Sequence, residues 1–224
     1  MLKVSFQLPT SVESFDKKSM TRLISSAVYA ILDDSKHIGF KLKSGKIFKD
    51  SVFDVIYSNN EIILKFNSLD DFSIENVAKS ALSKEFKIGD IKYSDVNVEI
   101  LKNNIDYLNS VIVTESNVLV YRTVGGKREF IFPENKEFVI QIKRNLLQKF
   151  ELFYGKKFED NLSIKILKQN TESRCSYYNK FPYFTKRATY MIHSSNDMLD
   201  LIAKTGIGSG NMKGFGLVEP MDLG

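Results

Sequence analysis

Two histidines, His37 and His193, and one cysteine, Cys175, bound the chemistry open to this chain. A single cysteine makes no internal disulfide and no cysteine-based metal site. There is no Cys/His cluster and no pair of histidines at helical spacing, so a zinc site is not expected. No Asp-x-Asp cluster suits two-metal chemistry, and Asp33-Asp34 and Asp70-Asp71 read as helix-end or capping carboxylates. No Gly-x-Ser-x-Gly elbow is present. The simplest enzyme left is a metal-free, cofactor-free one that moves protons through histidine. His37 follows a helical stretch and precedes Gly39 and Phe40; the plain alternative for such a loop histidine is a polar surface residue. His193 sits at a strand–helix corner and reads as structural.

Cations and aromatics come next. Lys18, Arg22, Ser25 and Tyr29, spaced i, i+4, i+7 and i+11, fall in one row opposite the apolar stripe of a helix. Tyr29 is then an aromatic directed away from the core, placed to contact a nucleotide. The stretch Arg174–Arg187, RCSYYNKFPYFTKR, sets Arg174, Lys180, Lys186 and Arg187 among five aromatic rings. Such cations grip phosphates while rings stack on bases. Its plain alternative is an aromatic-rich hairpin packed on a core. Lys127-Arg128, after Gly125-Gly126, is a smaller cationic pair.

Five of the twelve glycines lie in the run Gly206-Ile207-Gly208-Ser209-Gly210-Asn211-Met212-Lys213-Gly214-Phe215-Gly216. Successive free N–H groups in such a run can form an anion-binding nest. The expected cradle residues are Gly206, Gly208, Ser209, Asn211 and Lys213. A P-loop is excluded because Lys213 precedes Gly214 instead of following it. A dinucleotide fingerprint is excluded because the run leads into a strand, Leu217-Val218-Glu219, and not into a helix. A simple hairpin is the alternative.

The segment Ala188 to Pro220 reads strand, helix, glycine loop, Gly-Phe-Gly, strand. It resembles the C-terminal signature of the CRISPR-associated endoribonucleases, of the RAMP superfamily, that cut the repeats of precursor CRISPR RNA. Gly206, Gly208, Asn211, Gly214, Phe215 and Gly216 carry the match. In that family a tyrosine in the first helix, a histidine after it and a lysine before the next strand carry cleavage. The resemblance places these roles on Tyr29, His37 and Lys46, with Lys43 or Lys49 as alternatives to Lys46. It implies attack of a ribose 2′-OH on the adjacent phosphate, leaving a 2′,3′-cyclic phosphate and a 5′-OH. His37 would be the base or acid, Lys46 would stabilise phosphate charge, and Tyr29 would orient the reacting groups. Lys18, Arg22 and Lys49 join the C-terminal cations as expected RNA contacts. The implied partners are repeat RNA and precursor CRISPR RNA, with dimerisation and membership of an interference complex left open. A relative that binds repeat RNA without cutting it is the second reading. The third is a module that binds no RNA.

The elements that would position these residues read as an α+β fold. The chain has 224 residues, 43% hydrophobic and 26% charged, with a net charge of +5. Residues 1–120 hold 15 basic and 16 acidic side chains, and residues 121–224 hold 17 and 11, so the positive excess lies in the second half. That bias suits a polyanion. No apolar run approaches a membrane span, and Met1-Leu2-Lys3-Val4-Ser5-Phe6 alternates as a strand instead of reading as a signal peptide. A cytoplasmic location is expected.

A strand through Leu2, Val4, Phe6 and Leu8 precedes a helix near Asp16–Leu32. Strands near Lys46–Tyr57 and Glu61–Phe66, a helix near Ser73–Phe86 and a strand through Val96, Val98 and Ile100 complete β-α-β-β-α-β. The order repeats. Strands at Val111–Thr114 and Val118–Thr123 flank a turn at Glu115-Ser116-Asn117. A helix spans Lys136–Tyr154, strands follow near Leu162–Leu167 and Lys186–Ile192, and a helix covers Asn196–Lys204. Two tandem ferredoxin-like (RRM-like) domains are predicted, at 1–106 and 107–224, with the catalytic residues in the first and the basic face and glycine loop in the second.

Overall fold

The structure is a computed structural model and describes residues 1–7, 17–32, 36, 38–58, 61–83, 86–93, 95–101, 105–178 and 181–221. It shows two tandem ferredoxin-like units. In the first, β1 (Leu2–Gln7) pairs antiparallel with both β5 (Glu61–Ser68) and β8 (Val96–Ile100), and β5 pairs with β4 (Ser51–Ser58). The order β4-β5-β1-β8 is that of a βαββαβ sheet. Alternation puts Leu2, Val4 and Phe6 on one face. There they meet Met20, Ile24 and Val28 of α1 (Lys17–Ile31) and Val77 and Ala81 of α2 (Asp71–Leu82) in one core. Each fully buried side chain of this kind stabilises the fold by roughly 1.5–3 kcal/mol. Asp70 caps α2 as expected, its Oδ1 accepting the Phe72 N–H at 3.1 Å.

The predicted strand near Lys46–Tyr57 is broken in two. A small hairpin, β2 (Phe40–Lys41) with β3 (Ile47–Phe48), precedes β4. The break falls at Asp50, which is buried, paired with Lys36 and bonded by the Ser51 hydroxyl at 3.1 Å. A carboxylate taken out of water must find such partners, and they pin the chain between the two strands. Short pairs β6 (Lys87–Ile88) and β7 (Ile91–Lys92) lie between α2 and β8.

The second unit contains β9 (Val111–Asn117), β10 (Tyr121–Val124), β11 (Lys127–Phe130), α3 (Lys136–Tyr154), β12 (Ser163–Gln169), β13 (Arg174–Tyr178), β14 (Phe181–Thr185), β15 (Arg187–His193) and α4 (Asn196–Thr205). Its sheet runs β12-β15-β9. Phe138, Ile142, Leu146 and Phe150 of α3 and Met198, Leu199 and Ile202 of α4 pack on it. Gly155 ends α3 in the left-handed region, φ 68°, as the sequence predicts. Ser195 occupies the N-cap position of α4 without a side-chain cap bond, and the Ser194 hydroxyl donates to Asn161 O instead.

Two expectations change here. Glu115-Ser116-Asn117 is not a turn but the end of β9, paired with Thr189, Ala188 and Arg187. The turn comes later, at Gly125-Gly126, where β10 and β11 form a hairpin. Leu217-Val218-Glu219 is not a regular strand, although it takes the fourth sheet position along β9. Gly216 N donates to Asn117 O (2.9 Å) and Met221 N to Val113 O (2.7 Å), while Glu219 N goes to the Thr114 hydroxyl (3.1 Å). Positive φ at Gly216 and the missing N–H of Pro220 prevent a full ladder.

The units share an interface. On the face of the first sheet away from its helices, Val52 packs with Met1 and Leu217, and Asn67 Nδ2 donates to Ala203 O at 2.9 Å. Lys65 pairs with Glu219. These contacts join the two units.

Candidate active site

Between the units lies a cleft of about 510 Å³. The first unit contributes Tyr29, Lys46 and Lys49, and the second contributes Tyr121, Tyr183 and residues 208–213. No Asp or Glu is among its described lining residues. Three lysines therefore face a wall of hydroxyls, amides and aromatic faces.

Each lysine is held by named partners. Lys46 Nζ donates to Asn145 Oδ1 and, at 2.9 Å, to Gln148 Oε1, both on α3 of the other unit. Burial first, and Arg144 second, lower its pKa to about 8. Lys49 Nζ lies 5.3 Å from the centre of the Tyr29 ring and donates to Lys36 O at 3.1 Å. Its pKa is also lowered, mainly by burial; Lys213 adds to this and Asp50 opposes it. Lys213 Nζ donates to the Tyr183 hydroxyl at 3.1 Å, and Arg128 donates to the same oxygen at 3.1 Å.

The glycine run is a packed wall. The N–H groups of Gly206, Ile207, Ser209, Lys213 and Gly216 are committed to the carbonyls of Ile202, Gly216, Leu119, Gly210 and Asn117. Five amides of the run are thus unavailable to an anion, and these bonds do not involve those of Gly210, Asn211 and Met212. The glycines are required by close approach. A Cβ on Gly208 would stand 2.5 Å from Val118 Cγ1, and one on Gly216 would stand 1.9 Å from Ile207 O. Gly208, Ser209, Asn211 and Lys213 line the cleft, whereas Gly206 lies behind it.

The helix row is also corrected. Ser25 is fully buried and donates to Met212 O at 3.0 Å, because the glycine run packs on that side of α1. Tyr29 is half-buried, partly against the first core, and still lines the cleft. Arg22 is exposed on α1. Lys186 pairs with Glu134, and Arg187 pairs with Glu115 at 3.1 Å; neither lines the cleft. The aromatic-rich stretch is the hairpin β13/β14, with Tyr183 buried beside Phe215. His37, Lys180, Asp33 and Asp34 lie outside the described residues, as do the side chains of Lys18 and Arg174. Ile38, next in the chain to His37, lines the cleft.

Sequence reading missed three residues of α3: Asn145, Gln148 and Lys149. The signal was present. Phe138, Ile142, Asn145 and Lys149 keep a 4-3-4 spacing, so two polar residues occupy an apolar register.

Fold and cleft together define a tandem ferredoxin-like protein with a lysine-lined cleft between its units. Residues 99–220 match the family described as CRISPR associated protein Cas6, C-terminal, and the chain belongs to that family. A curated relative, CRISPR-associated endoribonuclease Cas6 1 of Methanocaldococcus jannaschii, is 27% identical over 112 residues. That alignment covers 50% of this chain and 41% of the relative, so the match spans less than half of the relative's length. Among solved structures, a CRISPR associated protein Cas6 superposes with a TM-score of 0.72 at 17% identity, covering 99% of this chain and 98% of its own. An RAMP protein binding different RNA substrates gives 0.73 at 15% identity, covering 99% and 100%. A Cas6-related protein from Pyrococcus furiosus gives 0.71 at 17%, covering 100% and 99%. At these identities the likeness is one of fold.

Proposed function

We propose that this chain is a metal-independent endoribonuclease that cuts CRISPR repeat RNA in the cleft between its two units. The observation that carries this reading is the convergence of Tyr29, Lys46, Lys49 and the glycine wall in one cleft lined by no described carboxylate. A cationic, aromatic-bearing cleft of this kind suits a phosphodiester backbone with unstacked bases. The family to which the chain belongs points the same way. We place the boundary between the catalytic and the basic domain at 106/107.

In the proposed reaction the 2′-OH at the cut site attacks the adjacent phosphorus and the bond to the 5′ oxygen breaks. His37 takes the 2′ proton or gives one to the leaving oxygen. Lys46, with its pKa at about 8, is about nine-tenths protonated at neutral pH and stabilises the charge growing on phosphate. Tyr29, beside Lys49, orients the phosphate. Asn145 and Gln148 hold the Lys46 ammonium in place.

The test is incubation of the repeat RNA from the same genome with the protein in excess EDTA. The expected products end in a 2′,3′-cyclic phosphate and a 5′-OH. Tight, salt-sensitive binding without products replaces this reading with that of a non-cutting repeat binder. Absence of binding at low salt removes both.

A further inference from the structure

The proposed chemistry makes no use of Lys149, although it is the one buried cation among the described residues, 1% exposed. It projects from α3 one turn beyond Asn145. Its Nζ donates to Thr205 O at 2.9 Å, Gly206 O at 2.9 Å and Asn211 Oδ1 at 3.0 Å, with Thr205 Oγ1 at 3.3 Å. The three nearest acceptors match the three hydrogens of an ammonium. All four are neutral oxygens, and none is a carboxylate. Two are carbonyls at the C-terminal end of α4, where the helix dipole favours a cation. The third belongs to Asn211, whose Nδ2 reaches back to Ile207 O (3.1 Å) and Phe215 O (3.2 Å). One ammonium thus ties α3 to the end of α4 and to Asn211 within the cleft wall.

We propose that Lys149 is a positioning residue of the RNA site: its buried ammonium, bonded to Thr205, Gly206 and Asn211, holds the 208–213 wall in the shape that receives RNA. This rests on the RNA reading of the cleft. The charged group acting on it is positive, Lys46 on the β2/β3 hairpin, which in turn feels Arg144 on α3. From α4 and the glycine run it meets only neutral oxygens. Burial first, and Lys46 second, lower its pKa to about 7. The charge is present below that value and lost as pH rises through it. If the charged form holds the binding shape, RNA must by linkage draw a proton onto it.

The experiment measures affinity for repeat RNA carrying a 2′-deoxy residue at the cut site, between about pH 6 and about pH 9. The proteins are wild type, Lys149→Gln and Lys149→Met. Gln keeps polar donors without charge, so it serves where Met does not fold. Either neutral variant is expected to bind about tenfold more weakly at the acidic end, with the deficit shrinking to about threefold or less at the alkaline end. A packing role alone gives a deficit independent of pH, and that result, or wild-type affinity in a folded variant, overturns the proposal. Calorimetry of the wild type in two buffers of different ionisation enthalpy adds a check that needs no variant. Absence of proton uptake at every pH between about 6 and about 9 overturns the proposal as well. Absence of RNA binding by the wild type overturns the RNA reading itself, and the inference falls with it.

Discussion

Gly216→Ala is expected to lower the melting temperature by about 10 °C or more, or to leave no folded protein. The added Cβ would lie 1.9 Å from Ile207 O and 2.9 Å from Asn211 Nδ2, at φ +74°. Ile207 O belongs to the backbone, so no rotamer change relieves the contact. Moving the chain breaks the Ile207 N to Gly216 O bond of 2.9 Å and the Gly216 N to Asn117 O bond of 2.9 Å. A left-handed alanine alone costs about 1–2 kcal/mol, and the steric term should take the total beyond about 4 kcal/mol. Gly126→Ala is the control. Its φ is +77°, but nothing lies within 4 Å, so only the backbone term applies. Thermal melts of both variants decide the matter; similar melting temperatures would show that the wall yields more easily than its packing implies.

Lys46→Ala is expected to slow cleavage about 100-fold while weakening RNA binding less than tenfold. The asymmetry follows from where its charge acts. A lysine that meets charge growing on phosphate in the transition state contributes mostly to the chemical step. Lys49 and Lys213 remain in the cleft, where the proposed reading has them hold the backbone of the RNA. Single-turnover rates and equilibrium binding on one RNA separate the two effects. Equal losses in both would make Lys46 a binding residue, and a loss at Lys49→Ala larger than at Lys46→Ala would move the catalytic role to Lys49.

Much of this was legible in the sequence. The two βαββαβ orders followed from alternating strands and helical stripes, and the glycine run with its Gly-Phe-Gly marked the wall. Tyr29 was legible by its place in the helix row and Lys46 and Lys49 through the family resemblance, and all three line one cleft. What was not legible depends on contacts between distant segments. Ser25 looked solvent-facing because a single helix cannot show what packs on its second face; here that is the Met212 carbonyl, 187 residues away. Asn145 and Gln148 meet Lys46 across the interface, 99 and 102 residues apart in sequence. Glycine spacing shows where a backbone can approach another, but not whether its amides are already committed. Glu115-Ser116-Asn117 reads as a turn by composition, yet tertiary pairing with β15 holds it extended.

The most direct test of the account uses one changed oxygen. Repeat RNA with a single 2′-deoxy sugar at the cut site is compared with all-ribose RNA, in EDTA, with wild-type protein. The account predicts that both bind alike and that only the all-ribose RNA is cut, because the nucleophile is the RNA's own 2′-OH. Cleavage of the deoxy substrate at the same site would contradict it, since the attacking oxygen would then have to come from elsewhere.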